Sequence, residues 1–186
     1  MDDRFLARQV VAGHPDAFRL LVLRHQRPLF RFLGFLGLTG AAAEDIAQET
    51  FLRAFRTLDR FDPERGELST WLLTIAKRLA INDRARAANR HEVPVGQVHV
   101  HVEEQPDDAA NVAELALARE RDQRVRRAVG ALPEPLRSTF ALAQLEELDL
   151  EQVAAVEGCA VGTVKSRVFR ARERLRLILN DEEKHR

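Results

Sequence analysis

Between Val161 and Ile178 the apolar residues Val161, Val164, Val168, Ala171, Leu175 and Ile178 recur at alternating spacings of three and four. That period gathers them into one stripe of an α-helix. Ser166, Phe169, Glu173 and Arg176 fall on the opposite face. Lys165 and Arg172 border the stripe on one side, Arg167 and Arg174 on the other, and Arg170 lies between Ser166 and Arg174. A large aromatic on the wet face of a basic helix suits DNA. The cations meet phosphates, a hydroxyl and an Arg meet base edges, and the ring meets thymine methyls.

The residues just before this helix agree with it. In LDLEQVAAVEGCAVGTV, Asp149 is placed to cap a helix, with Gln152 three residues on completing a capping box. Ala154, Gly158 and Val164 then stand at the fifth, ninth and fifteenth positions of a helix-turn-helix. There a small residue lets two helices touch, a glycine makes the turn, and a β-branched residue packs the second helix back on the first. The second helix would enter the major groove near its N-terminal end, presenting Thr163, Lys165, Ser166, Phe169 and Arg170. Arg167, Arg172 and Arg174 are candidate phosphate contacts beside them.

The chain has 186 residues, enough for two small domains, and 45% hydrophobic content, enough for a packed core. Few Gly and Pro, no Tyr, and abundant Ala, Leu, Arg and Glu point to an all-α fold. The charged start MDDRFLARQVVAG does not read as a signal peptide. No stretch approaches the roughly 20 apolar residues that span a bilayer, so no membrane contact of its own is expected. The single Cys159 excludes an internal disulfide and fits a reducing, cytoplasmic setting.

Net charge is zero, but its distribution is uneven. Residues 1–90 carry 15 Lys and Arg against 11 Asp and Glu, and residues 119–186 carry 14 against 12. Residues 91–118 hold six acids and no Lys or Arg. Two mildly basic blocks thus flank an acidic segment. The segment HEVPVGQVHVHVEEQPDDAANV lacks helical periodicity, so residues 91–112 read as an acidic linker. His91, His99, His101 and Glu103 lie in it and read as incidental to a solvated tether. No metal or other cofactor is expected.

The N-terminal block, 1–90, reads as four helices: Asp3 to Ala12; Asp16 to Gly34 or Gly37, with Pro28 threatening a kink; Glu44 to Leu58; and a fourth capped by Ser69 or Thr70 and running to about Arg90. In the third, Ile46, Ala47, Phe51, Ala54 and Leu58 face a core. The C-terminal block, 113–186, begins with an Arg-rich helix near Ala113 to Leu132. Pro133 and Pro135 open another helix to about Glu146, and the helix-turn-helix follows. The fourth helix carries Lys77, Arg78, Asn82, Arg84, Arg86 and Arg90. Trp71 at its start is either a core residue or a ring on which an unpaired base stacks while the cations track the backbone.

Two basic modules joined by an acidic tether resemble the bacterial RNA polymerase sigma factors of the small two-domain extracytoplasmic function class. DAFRLLVLRHQRPLFRFL is similar to region 2.1 of that family, AEDIAQETFLRAFRTLDRFD to region 2.2, and STWLLTIAKRLAINDRAR to regions 2.3 and 2.4. The span from Leu132 to Arg176 is similar to region 4, the most specific match. The resemblance implies that Asp45, Gln48, Glu49 and Phe51 dock on the polymerase clamp. It implies that the loop from Asp62 to Thr70, with Trp71, Lys77, Arg78, Asn82, Arg84 and Arg86, captures the melted minus-ten strand. It implies that Lys165, Ser166, Phe169 and Arg170 read the minus-thirty-five element. Arg78 departs from the family, whose members often carry Asn there.

The partners so implied are core RNA polymerase, promoter DNA and an anti-sigma factor closing over the residue 44–58 and 161–176 helices. An enzyme is not expected, because no glycine-rich phosphate loop, nucleophile elbow or coherent metal cluster stands in the chain. A stand-alone dimeric helix-turn-helix regulator is the competing reading. It leaves the 44–58 helix and the Trp71 loop without a purpose.

Overall fold

The computed structural model describes residues 2–64, 66–89 and 123–184, and every regular element among them is helical. The linker 91–112, with its histidines, lies outside the described residues, as does the segment 113–122 of the expected Arg-rich helix.

Helix α1, Asp3–Val11, is capped by the Asp2 carboxylate, which accepts from the Phe5 amide at 2.7 Å. It is tied to α2, Asp16–Phe35, by Asp3, whose carboxylate meets Arg24 and, at 2.6 Å, His25 Nε2. Pro28 sits inside α2, so the helix runs through the position where a break threatened. Gly37, at φ +83°, makes the turn that α2 needs to end. Helix α3, Gly40–Arg56, starts four residues before the expected Glu44, since Ala41, Ala42 and Ala43 are strong helix formers. A 3-10 turn at Leu58–Arg60 follows.

Helix α4, Leu68–Asn89, also starts earlier than its expected caps. Ser69 and Thr70 therefore lie in its first turn, because Leu68 is buried with Leu6, Leu21, Ala54, Leu58 and Leu72 in a core among the first four helices. That burial outweighs the modest preference of Ser and Thr for the cap.

In the C-terminal block a helix over 123–130, α5, is followed by α6, Leu136–Phe140. The chain then widens into a π turn, Ala141–Leu145, instead of continuing as α-helix to Glu146. The Glu146 amide bonds the Ala141 carbonyl five residues back, at 3.0 Å. Helices α7, Leu150–Glu157, and α8, Val161–Lys184, complete the fold.

A second apolar core is continuous between the two blocks. It joins Phe32 and Leu33 of α2, Ile46 of α3 and Ala76 of α4 to Val129 of α5, Leu142, Val153 of α7 and Val164 of α8. Helix α4 lies against α7. Charged contacts seal the same junction. Arg31 of α2 grips the Glu146 carboxylate through two hydrogen bonds of 2.7 Å, and the Glu146 side chain is almost wholly buried. Those bonds hold the Arg31 guanidinium above its ordinary pKa. Arg126 lies over the Phe35 ring, 5.8 Å from its centre.

Candidate nucleic-acid interface

The helix-turn-helix forms as its spacing requires. The Asp149 carboxylate accepts from the Gln152 amide at 2.7 Å, and the Gln152 side chain accepts from the Asp149 amide at 3.0 Å. Gly158 ends α7 in the left-handed region, at φ +65°. Ala154 and Val164 are buried where the two helices meet. On α8 the apolar stripe faces inward, with Val164, Val168, Ala171 and Leu175 buried and Val161 and Ile178 half-buried. Thr163, Lys165, Ser166, Phe169, Arg170, Arg172 and Arg174 are exposed. Phe169 is 67% exposed. It lines a shallow concavity of about 480 Å³ with Pro135, Leu136, Arg170, Glu173 and Arg174. Arg172 donates to Gln144 at 2.6 Å. Arg167 differs from the rest. It is half-buried and donates to Glu157 at 2.9 Å. Beside it, Cys159 Sγ lies 3.7 Å from the same guanidinium.

Helix α4 carries its polar residues on two faces. Arg78, Asn82 and Arg86 recur every four residues and are exposed together. Lys77 and Arg84, seven apart, turn toward the C-terminal block. Lys77 is buried, its ammonium 2.7 Å from Glu157 Oε1, and Arg84 lies 3.8 Å from Glu134. Burial, with Arg137 nearby, lowers the Arg84 guanidinium below its ordinary pKa. Trp71 is half-buried and tilts against Phe61, ring centres 5.5 Å apart. It borders a cavity of about 240 Å³ shared with Asp62, Thr70, Thr74 and, from α7, Ala155. The ring is thus partly core and partly wall of an opening.

On α3, Asp45 and Gln48 are exposed, Glu49 is half-buried and paired with Arg53 at 2.5 Å, and Phe51 packs between the two cores. The exposed aromatic is Phe55, which with Leu52 went unremarked in the sequence. Asp45, Gln48, Leu52 and Phe55 recur at spacings of three, four and three, so they form one outward stripe of acid, amide and apolar groups. The signal was there to be read: two large apolar residues off the core-facing period. Glu134, Glu146 and Glu157, the acids that hold Arg84, Arg31 and Lys77, left no comparable trace. Among the described residues no cluster of His, Cys, Asp and Glu is placed to hold a metal ion, and no helix is long and apolar enough to cross a membrane.

Comparisons with known proteins fall on both blocks. The family model Sigma-70 region 2 matches residues 21–90, and the model Sigma-70, region 4 matches residues 122–175. The chain is 35% identical to the ECF RNA polymerase sigma-E factor of Escherichia coli K12 over 181 residues, covering 93% of this chain and 92% of the relative. It is 34% identical to the RNA polymerase sigma-H factor of Pseudomonas aeruginosa over 177 residues, covering 92% and 90%. Among solved structures, CnrH in complex with the cytosolic domain of CnrY is similar at 29% identity, with a TM-score of 0.70 over 96% of this chain and 97% of that one. RpoE in complex with the anti-sigma factor NepR from Bartonella quintana is similar at 29% identity, with a TM-score of 0.66 over 88% and 96%.

Proposed function

The chain belongs to the sigma-70 family, as a sigma factor of the extracytoplasmic function class, and on that premise we propose which residues do its work. The carrying observation is the helix-turn-helix, whose second helix buries its apolar stripe and leaves Lys165, Ser166, Phe169 and Arg170 in solvent. These residues read the minus-thirty-five duplex from the major groove, Arg170 at a base edge and Arg174 at a phosphate. Arg78, Asn82 and Arg86 track the melted minus-ten strand along α4, and the cavity beside Trp71 takes an unpaired base. Asp45, Gln48, Leu52 and Phe55 dock on core polymerase.

The chain acts in the cytoplasm and supplies no catalytic group, since the nucleotidyl transfer belongs to the polymerase. Two similar proteins were captured with the CnrY cytosolic domain and with NepR, and this chain has an anti-sigma partner of its own that covers the α3 and α8 faces. Run-off transcription on genomic fragments with core polymerase, with and without the chain, tests the assignment. Discrete products that need the chain are expected. Specific duplex binding that needs no polymerase, with no such products, would favour the stand-alone regulator.

A further inference from the structure

Glu157 ends α7 with its side chain wholly out of solvent. Its two oxygens face different blocks. Oε2 accepts from Arg167 of α8 at 2.9 Å, and Oε1 lies 2.7 Å from the Lys77 ammonium of α4. The Lys77 contact misses hydrogen-bond angles, so it is held by charge. Around it, Glu134 faces Arg84, Ala155 walls the cavity beside Trp71, and the apolar core continues across the junction. Thus two of the six α4-side residues assigned to the minus-ten strand are held by carboxylates of region 4. By contrast Asp45, Gln48, Lys165, Phe169 and Arg170 all face solvent.

We propose that the free chain is its own brake: region 4 closes on region 2 through a latch centred on Glu157, which occupies Lys77 while Glu134 faces Arg84, two cations that the family resemblance gives to the minus-ten strand beside the exposed Arg78 and Arg86. The proposal rests on the residue assignments above and adds to them a state without promoter. In that state the polymerase-docking stripe and the minus-thirty-five helix are open, and so are Arg78, Asn82 and Arg86, but Lys77 and Arg84 are not. Loading a melted strand exchanges carboxylates for phosphates on the same ammonium and guanidinium groups, and opening exposes the shared apolar core to water. An anti-sigma partner then needs only to hold a conformation the chain already adopts.

The test measures the distance between spin labels on cysteines placed at the exposed Ala41 and Glu151, in a Cys159→Ser background, with the full chain and no DNA. Wild type is expected to give one narrow, short distance. Glu157→Asp keeps the charge and withdraws the carboxylate by one methylene, and should shift the distribution to longer, broader distances. The same variant should bind a labelled single-stranded 20-mer oligothymidylate about tenfold more tightly, with α8 equally exposed in both forms. Lys77→Met breaks the latch from the other side and should lengthen the distance too, which guards against a Glu157→Asp chain that fails to fold. A wild-type distribution as broad as the variants', or a folded Glu157→Asp and Lys77→Met that both keep the short distance, would overturn the latch. The measurement uses neither polymerase nor promoter, so its failure is separate from a failure of run-off transcription.

Discussion

Phe169 is the large apolar side chain that α8 leaves most in water, and it stands on the face proposed to read the duplex. Arg170 stands beside it with its guanidinium in solvent, one residue from the ring and one turn after Ser166. Arg170→Ala should therefore weaken specific promoter binding by about 1–3 kcal/mol and relax sequence preference. Arg174→Ala should weaken binding to all sequences alike and reduce the salt slope by about one. Titrations of holoenzyme on matched and scrambled duplexes at several salt concentrations separate the two outcomes. Equal discrimination by wild type and Arg170→Ala would remove Arg170 from the base-reading set. Lys77 shows where such reading of residues stops. A lone Lys on a basic helix looks the same in sequence whether its partner is a phosphate or a carboxylate far along the chain. Only the fold reveals Glu157 beside it.

Elements were legible where their determinants are local. The capping box, the Gly158 turn and the stripe of α8 all lie within one motif, and each forms as its spacing demands. The starts of α3 and α4 were less legible, because burial of Leu68 and the helix preference of Ala41 to Ala43 compete with cap signals a few residues on. Two glycines make the local rule testable. A Cβ at Gly158 meets nothing within 4 Å, but the φ of +65° is left-handed. Gly158→Ala should thus lower stability by about 1–2 kcal/mol through backbone strain alone. Gly162 also has open space and lies within α8 at an ordinary φ, so Gly162→Ala should raise stability by about 0.5–1 kcal/mol. Thermal unfolding of both variants reads the sign. On α3, Asp45→Lys should abolish core polymerase binding and leave the helix intact, since Asp45 is exposed. Glu49→Lys should in addition lose the pair with Arg53, about 0.3–0.5 kcal/mol. A pull-down on core polymerase beside a melting curve distinguishes docking from folding.

At the scale of the molecule, periodicity is silent. A 3.6-residue repeat tells which face of a helix is buried and nothing about which other helix buries it. The two basic blocks and the acidic segment between them were legible from charge and composition. The core that runs from Phe32 and Ala76 to Leu142 and Val164, and the grip of Arg31 on Glu146, were not, because their partners lie far apart along the chain. That shared core has a consequence for unfolding. The chain has one tryptophan, and Trp71 lies in the N-terminal block, packed on Phe61. Its fluorescence therefore reports that block, whereas helical circular dichroism reports both. With the blocks closed on one another, the two signals should fall together in urea. Leu142 is fully buried in the C-terminal block, and Leu142→Ala should cost about 2–5 kcal/mol there. If the junction is as continuous as its packing, that loss must also move the Trp71 midpoint to lower urea. A Trp71 transition that stays in place while the dichroism splits into two steps would mean that the blocks fold independently and meet only weakly.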